Sequence, residues 1–171
     1  MLRYYKGLHT LIKAAKQVGA RIVIAGSGPE ETNLRALAKE LNVSNVVFAG
    51  FVSDHEKNAL LRRCSGFVLP SHLRSEAYGM VLVEAAIFGR PLISCEIGTG
   101  TSFVNAHGES GLVVPPEDPV ALAEALKTLL VDQQSASQFA LGARTRYEQL
   151  FSGQALGRAY AELFHEAAGS R

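Results

Sequence analysis

Two carboxylates, Glu76 and Glu84, stand eight positions apart and bracket Ala77-Tyr78-Gly79 and the apolar run Met80-Val81-Leu82-Val83. That run reads as the first turns of a buried helix beginning near Gly79, so the free backbone N–H groups of Met80, Val81 and Leu82 form an electropositive pocket suited to a diphosphate. Glu76, in the loop ahead of that terminus, can accept hydroxyl hydrogen bonds from a sugar at one end of the diphosphate. Glu84, one turn inside the helix, can chelate a ribose diol at the other end. A carboxylate between Val83 and Ala85 is costly in an apolar helix unless a partner satisfies it. A lone helical Glu is ordinarily a surface residue; two around a glycine turn read together as contacts to a nucleotide sugar.

Other segments offer related chemistry. Gly26-Ser27-Gly28 follows a short β-branched stretch, and its glycines permit a tight turn and close backbone approach to a ligand. The loop is not a dinucleotide fingerprint, because Glu31 fills the sixth position of G-x-G-x-x-G and no acidic residue ends the next strand-like run at 46–49; this argues against NAD. Gly98-Thr99-Gly100-Thr101-Ser102, beside a third carboxylate at Glu96, supplies glycines and hydroxyls suited to phosphate or sugar contacts, and reads equally as a plain glycine-rich connection. His9, His55, His72, His107 and His165 show no H-x3-H spacing and no C-x2-C occurs, so no metal site is indicated. His72 either lines the pocket ahead of Glu76 or is an ordinary exposed loop histidine.

The elements that must position these residues alternate between strand and helix. Helical spacing covers 8–18, a strand 21–25, a helix 29–41, a strand 46–49, and a helix from a Ser53 or Asp54 cap to 63. A strand follows at 67–69, then the helix carrying Glu84, then strands at 92–95 and 112–114. From Asp118 onward the chain is helical, with breaks near Asp132 and Ser152-Gly153. Such alternation predicts an α/β fold: a Rossmann-like parallel sheet with right-handed crossovers, flanked by helices, and a helical C-terminal segment. Ligands bind at the carboxyl ends of strands in such sheets, and each motif above lies in a loop of that kind.

At 171 residues and 47% hydrophobic, residues 1–171 read as one domain with enough apolar surface for a core. The net charge of +1 and the scattered Lys and Arg give no electrostatic footprint for nucleic acid. Cys64 and Cys95 lie in apolar contexts and are expected as reduced, buried thiols. No apolar run approaches the ~20 residues that span a bilayer, and the start lacks a signal-peptide pattern, so a cytoplasmic protein is expected.

The stretch Ser75-Glu76-Ala77-Tyr78-Gly79-Met80-Val81-Leu82-Val83-Glu84-Ala85-Ala86, with Gly89-Arg90-Pro91-Leu92-Ile93-Ser94 after it, resembles the signature of the retaining glycosyltransferases of family four, which have the two-domain GT-B fold. Lys6-Gly7-Leu8, Ile24-Ala25-Gly26-Ser27-Gly28-Pro29-Glu30 and Gly108-Glu109-Ser110-Gly111-Leu112-Val113-Val114-Pro115 fit the same family in the same order. The resemblance implies the donor-binding C-terminal half of such an enzyme, with the N-terminal acceptor domain absent. It implies transfer of a hexose from a GDP- or UDP-linked sugar to a hydroxyl, with no resident cofactor or metal. Lys6 would neutralise the diphosphate leaving group, Glu76 orient the sugar, Glu84 hold the ribose, and Val52, in Gly50-Phe51-Val52-Ser53, meet the nucleobase through its backbone. Gly26 and Gly28 would border the donor phosphates.

Relatives carry an arginine five positions before the lysine, and counting back from Lys6 reaches Met1. The isolated chain is therefore expected to bind donor without transferring sugar, as a remnant or as one subunit of a split enzyme, and to self-associate through an uncovered sheet edge. A sugar-nucleotide epimerase of related architecture is the other enzymatic reading. Lipid-linked acceptors in the family add a peripheral role at the inner membrane face.

Overall fold

The computed structural model describes residues 1–169. After a single 3-10 turn at Tyr4–Lys6, helix and strand alternate: α1 (Leu8–Ala15), β1 (Ile22–Ala25), α2 (Glu31–Glu40), β2 (Val46–Gly50), α3 (Asp54–Arg63), β3 (Phe67–Leu69), α4 (Met80–Ile87), β4 (Leu92–Cys95), α5 (Thr101–Val104) and β5 (Gly111–Val114). Three helices complete the chain, α6 (Pro119–Val131), α7 (Gln133–Arg146) and α8 (Gly153–Gly169), with a π-turn at Tyr147–Phe151 between the last two.

Local chemistry explains the boundaries. Ser53 and Glu56 form a reciprocal capping box that starts α3, the Glu56 carboxylate accepting the Ser53 amide at 2.8 Å. The Asp118 carboxylate accepts the Val120 and Ala121 amides ahead of α6, whose first residue is Pro119. Asp132 both ends α6 and caps α7, accepting the Ser135 amide at 3.0 Å. The expected breaks near Asp132 and Ser152-Gly153 thus fall where the helices end.

All strand pairs are parallel, but the single sheet expected from the alternation is divided. β1 pairs with β2, and β3, β4 and β5 form a second sheet in that order. Among the described residues no strand bridges β1 and β3, whose edges face each other across a cavity of about 660 Å³ lined by Ile22, Ile24, Leu61, Phe67, Leu69 and Leu129. A direct ladder needs strands about 4.8 Å apart, and this cavity holds β1 and β3 beyond that reach. Val23 and its partner Val47 on β2 are 43% and 42% exposed, on the open face of the small sheet.

The core follows the same division. Leu11, Ala14 and Val18 pack with Ile93, Leu122 and Leu129 on one side of the larger sheet, and Leu82, Val83 and Ala86 pack with Leu69, Leu92 and Ala143 on the other. Leu2, Ile12, Ile24, Leu34 and Ala38 form a third cluster beside β1. Every residue of β4 is buried, as a central parallel strand covered on both faces requires.

Candidate functional site

Of the predicted site residues, Gly26 and Gly28 lie in the loop after β1, Val52 in that after β2, Glu76 and Gly79 in that after β3, Met80, Val81, Leu82 and Glu84 on α4, and Lys6 in the 3-10 turn ahead of α1. Gly79 ends the loop after β3 at φ 78°, and a Cβ there would lie 2.9 Å from Leu82 Cδ1 and 3.1 Å from Leu69 Cδ2, so glycine is needed both for the turn and for the packing. α4 begins at the next residue. The expectation of three free amides is corrected: the Leu82 amide donates to the Gly79 carbonyl at 2.8 Å, closing a tight first turn, and Met80 and Val81 keep the open N–H groups.

Glu76 is buried, 9% exposed, and its Oε2 accepts hydrogen bonds from Lys6 Nζ and, at 3.3 Å, from Ser71 Oγ. Lys6 and Glu76, far apart in sequence and assigned separate tasks, are thus an ion pair. The His72 amide donates to the Tyr5 carbonyl at 3.0 Å, which fixes the turn bearing Lys6 against the loop bearing Glu76. Ser71, 1% exposed, belongs to this group and gave no signal in sequence.

Glu84 does find the partner its apolar neighbours demand. Lys57 Nζ, from α3, lies 3.0 Å from Glu84 Oε1 and 3.1 Å from Asp54 Oδ1. The hydrogen bond to Glu84, followed by that to Asp54, raises the Lys57 pKa above its usual value. Lys57 was missed because helical spacing along α3 does not say which helix lies beside it.

The loop after β4 reaches the same region, with the Gly100 amide donating to the Ala77 carbonyl at 2.9 Å. Glu96 instead closes its own loop: it accepts from Ser102 Oγ at 2.7 Å and the Gly98 amide at 2.9 Å, and these bonds, Ser102 first, hold its carboxyl below the usual range. The Gly26 to Gly28 loop is also corrected. A Cβ on Gly28 would lie 2.3 Å from the Leu2 carbonyl oxygen, and the Leu2 amide donates to Ser27, so the close approach this glycine permits is to the chain's own backbone. The Gly26 amide donates to the Gly50 carbonyl at 2.7 Å, tying this loop to the one carrying Val52. Val52 is half-buried and Phe51 is 81% exposed, so Phe51 is not a core residue.

His72 is buried at 7% exposure, against the expectation of an exposed loop histidine, and the fold brings it to His9 and Glu117. Sequence spacing indicated no such cluster, because its members come from three separate elements. Cys64 and Cys95 are both free; Cys95 is buried and burial raises its thiol to about 11, whereas Cys64 is only partly buried.

The Met80 and Val81 amides suit an oxyanion, and Lys6, paired with Glu76, lines the same cavity as Val81. The parallel α/β architecture with ligand loops at the strand ends is that of one half of a GT-B glycosyltransferase, and the chain belongs to the family described as glycosyl transferases group 1, whose model matches residues 1–146. It is 47% identical over 162 residues to the O-antigen chain mannosyltransferase C of Escherichia coli, covering 95% of this chain and 44% of that protein. It is 49% identical over 152 residues to the D-rhamnosyltransferase WbpZ of Pseudomonas aeruginosa, covering 89% of this chain and 40% of that one.

The chain therefore spans less than half the length of these relatives. Among solved structures, Anabaena Alr3699/HepE in complex with UDP and glucose superposes with a TM-score of 0.85 at 26% identity, over 96% of this chain and 46% of that one. The sucrose-phosphate synthase of Thermosynechococcus elongatus gives 0.81 at 29% identity, over 99% and 44%. Among the described residues no helix is long and apolar enough to cross a membrane.

Proposed function

We propose that this chain is the donor-binding half of a retaining glycosyltransferase of family four, which transfers a hexose from a GDP- or UDP-linked sugar to a hydroxyl in polysaccharide assembly. The observation that carries this reading is the Lys6–Glu76 ion pair, whose carboxylate sits in the loop leading into α4 and its open amides, with Glu84 one turn along that helix. The diphosphate lies on the Met80 and Val81 amides, which favour negative charge by position and by helix dipole. Lys6 stabilises the charge that grows on the leaving phosphate as the glycosidic bond breaks. Glu76, held by Lys6 and Ser71, presents its remaining acceptor capacity to the sugar hydroxyls. Glu84 takes the ribose diol. The acceptor and the groups that orient it belong to a second domain or subunit, so the chain alone binds without turnover.

The relatives named for mannosyl and rhamnosyl transfer, and the neighbour solved with UDP and glucose, support a nucleotide-linked sugar as the donor class. Calorimetry with GDP, UDP, ADP and their hexose conjugates tests it. One nucleoside diphosphate should bind, its sugar conjugate should bind at the same site, and no sugar should be transferred to added alcohols. A chain that binds none of the panel, or that transfers sugar by itself, would overturn the proposal. Epimer formation without acceptor would favour the epimerase reading instead.

A further inference from the structure

Beside the donor site lies a second group of polar side chains, of which only His72 was a candidate for the donor pocket. His9 is in the first turn of α1, His72 in the loop after β3, and Glu117 in the turn between β5 and α6. One ligand atom from each lies within 4.8 Å of the others. Neither ring nitrogen of buried His72 has a hydrogen-bond partner. That is expensive, because a desolvated imidazole must lose its bonds to water without replacement. Its closest ring neighbours are the edges and faces of other rings: Tyr4 at 4.9 Å and His9 at 5.1 Å between centroids.

Glu117 carries a second, independent cost. Among the described non-glycine residues only Asn42 and Glu117 have positive φ, the latter at 57°. Asn tolerates that region; Glu117 takes it in the turn that follows Pro115-Pro116, where glycine would fit with less strain. The Glu117 Oε1 stands 3.9 Å from His9 Nε2, too far for a hydrogen bond and close enough to share a ligand.

We propose that His9, His72 and Glu117 bind one zinc ion, with the fourth coordination position open to water or to an oxygen ligand. Two imidazoles and one carboxylate are a donor set that zinc takes with an open position. Zinc to nitrogen bonds of about 2.0–2.1 Å place tetrahedral ligand atoms roughly 3.4 Å apart, so a cluster spread over 4.8 Å must contract by up to about 1.4 Å. Glu117 is exposed and His9 only partly buried, and their side-chain torsions supply that movement while His72 stays fixed. The ion would supply the missing partner of a His72 nitrogen and a counter-charge for Glu117. Zinc binding here needs no nucleotide and is separate from the donor reading.

The test uses the chain freed of metal by chelator. Zinc is titrated in competition with a chromophoric chelator, and cobalt is titrated in parallel for the visible absorption of a tetrahedral site. One equivalent is expected to bind, with His9→Ala and Glu117→Gly each weakening it on the order of tenfold or more. Glu117→Gly is the decisive variant, because removing left-handed strain should hold or raise the melting temperature of the metal-free chain while metal affinity falls. His55→Ala and His165→Ala should leave affinity unchanged. No stoichiometric zinc binding by the natural chain, or equal affinity in the His9 and Glu117 variants, would overturn the proposal.

Discussion

Replacing Glu84 with Gln separates ribose recognition from structural support. In the structure Glu84 is 35% exposed and its Oε1 is held by Lys57 at 3.0 Å, which leaves Oε2 as the oxygen with capacity for a diol hydroxyl. A charge-assisted bond from a half-exposed acid belongs at the low end of its range, about 1.5 kcal/mol, or roughly tenfold in Kd. The effect on folding should be much smaller. Lys57 keeps Asp54 at 3.1 Å, and an ion pair this open to solvent contributes about 0.5 kcal/mol or less. Calorimetry of the best-binding nucleoside diphosphate and its 2′-deoxy counterpart against both proteins gives a complete cycle between side chain and hydroxyl. The natural chain should prefer the ribonucleotide by roughly tenfold, and Glu84→Gln should bind both forms alike with a melting temperature near that of the parent. Equal affinities in the natural chain, or a variant that weakens both ligands by one factor and keeps the preference, would refute the assignment.

Lys6→Ala should destabilise the chain by about 2 kcal/mol in urea unfolding, because it strands a buried Glu76 with only Ser71; reunited with an acceptor domain, the same variant should lower kcat more than donor affinity. Glu76→Ala should weaken binding of the sugar nucleotide and leave the bare nucleoside diphosphate nearly unaffected, and calorimetry showing loss of the bare nucleotide would move Glu76 to the diphosphate end. Gly79→Ala should cost about 2 kcal/mol or more in thermal unfolding, since the added methyl meets Leu82 and Leu69 at a φ of 78°. The unpaired edges of β1 and β3 around the apolar cavity should drive dimers or larger species at high concentration, and a clean monomer in sedimentation velocity would count against that.

The order and kind of elements are legible along the chain, because each depends on interactions within a few residues. The Ser53–Glu56 capping box, Pro119 behind Asp118 and the glycine at 79 mark helix ends through local backbone chemistry, and the β-branched run Ile22-Val23-Ile24 marks a strand. The sequence also placed Glu76, Glu84 and the α4 terminus together, since they lie within one loop and helix. Tertiary structure alone decided what those groups touch. Lys6 meets Glu76 and Lys57 meets Glu84 only because packing brings a turn and a neighbouring helix against the loop after β3 and α4. Gly28 makes room for Leu2, and His72 loses its water to Tyr4 and His9, through contacts between segments far apart in the chain. An uncovered sheet edge was expected from the count back from Lys6, but that β1 and β3 flank it was not, because strand propensity reports that a segment is extended and carries no information on which edge finds a partner.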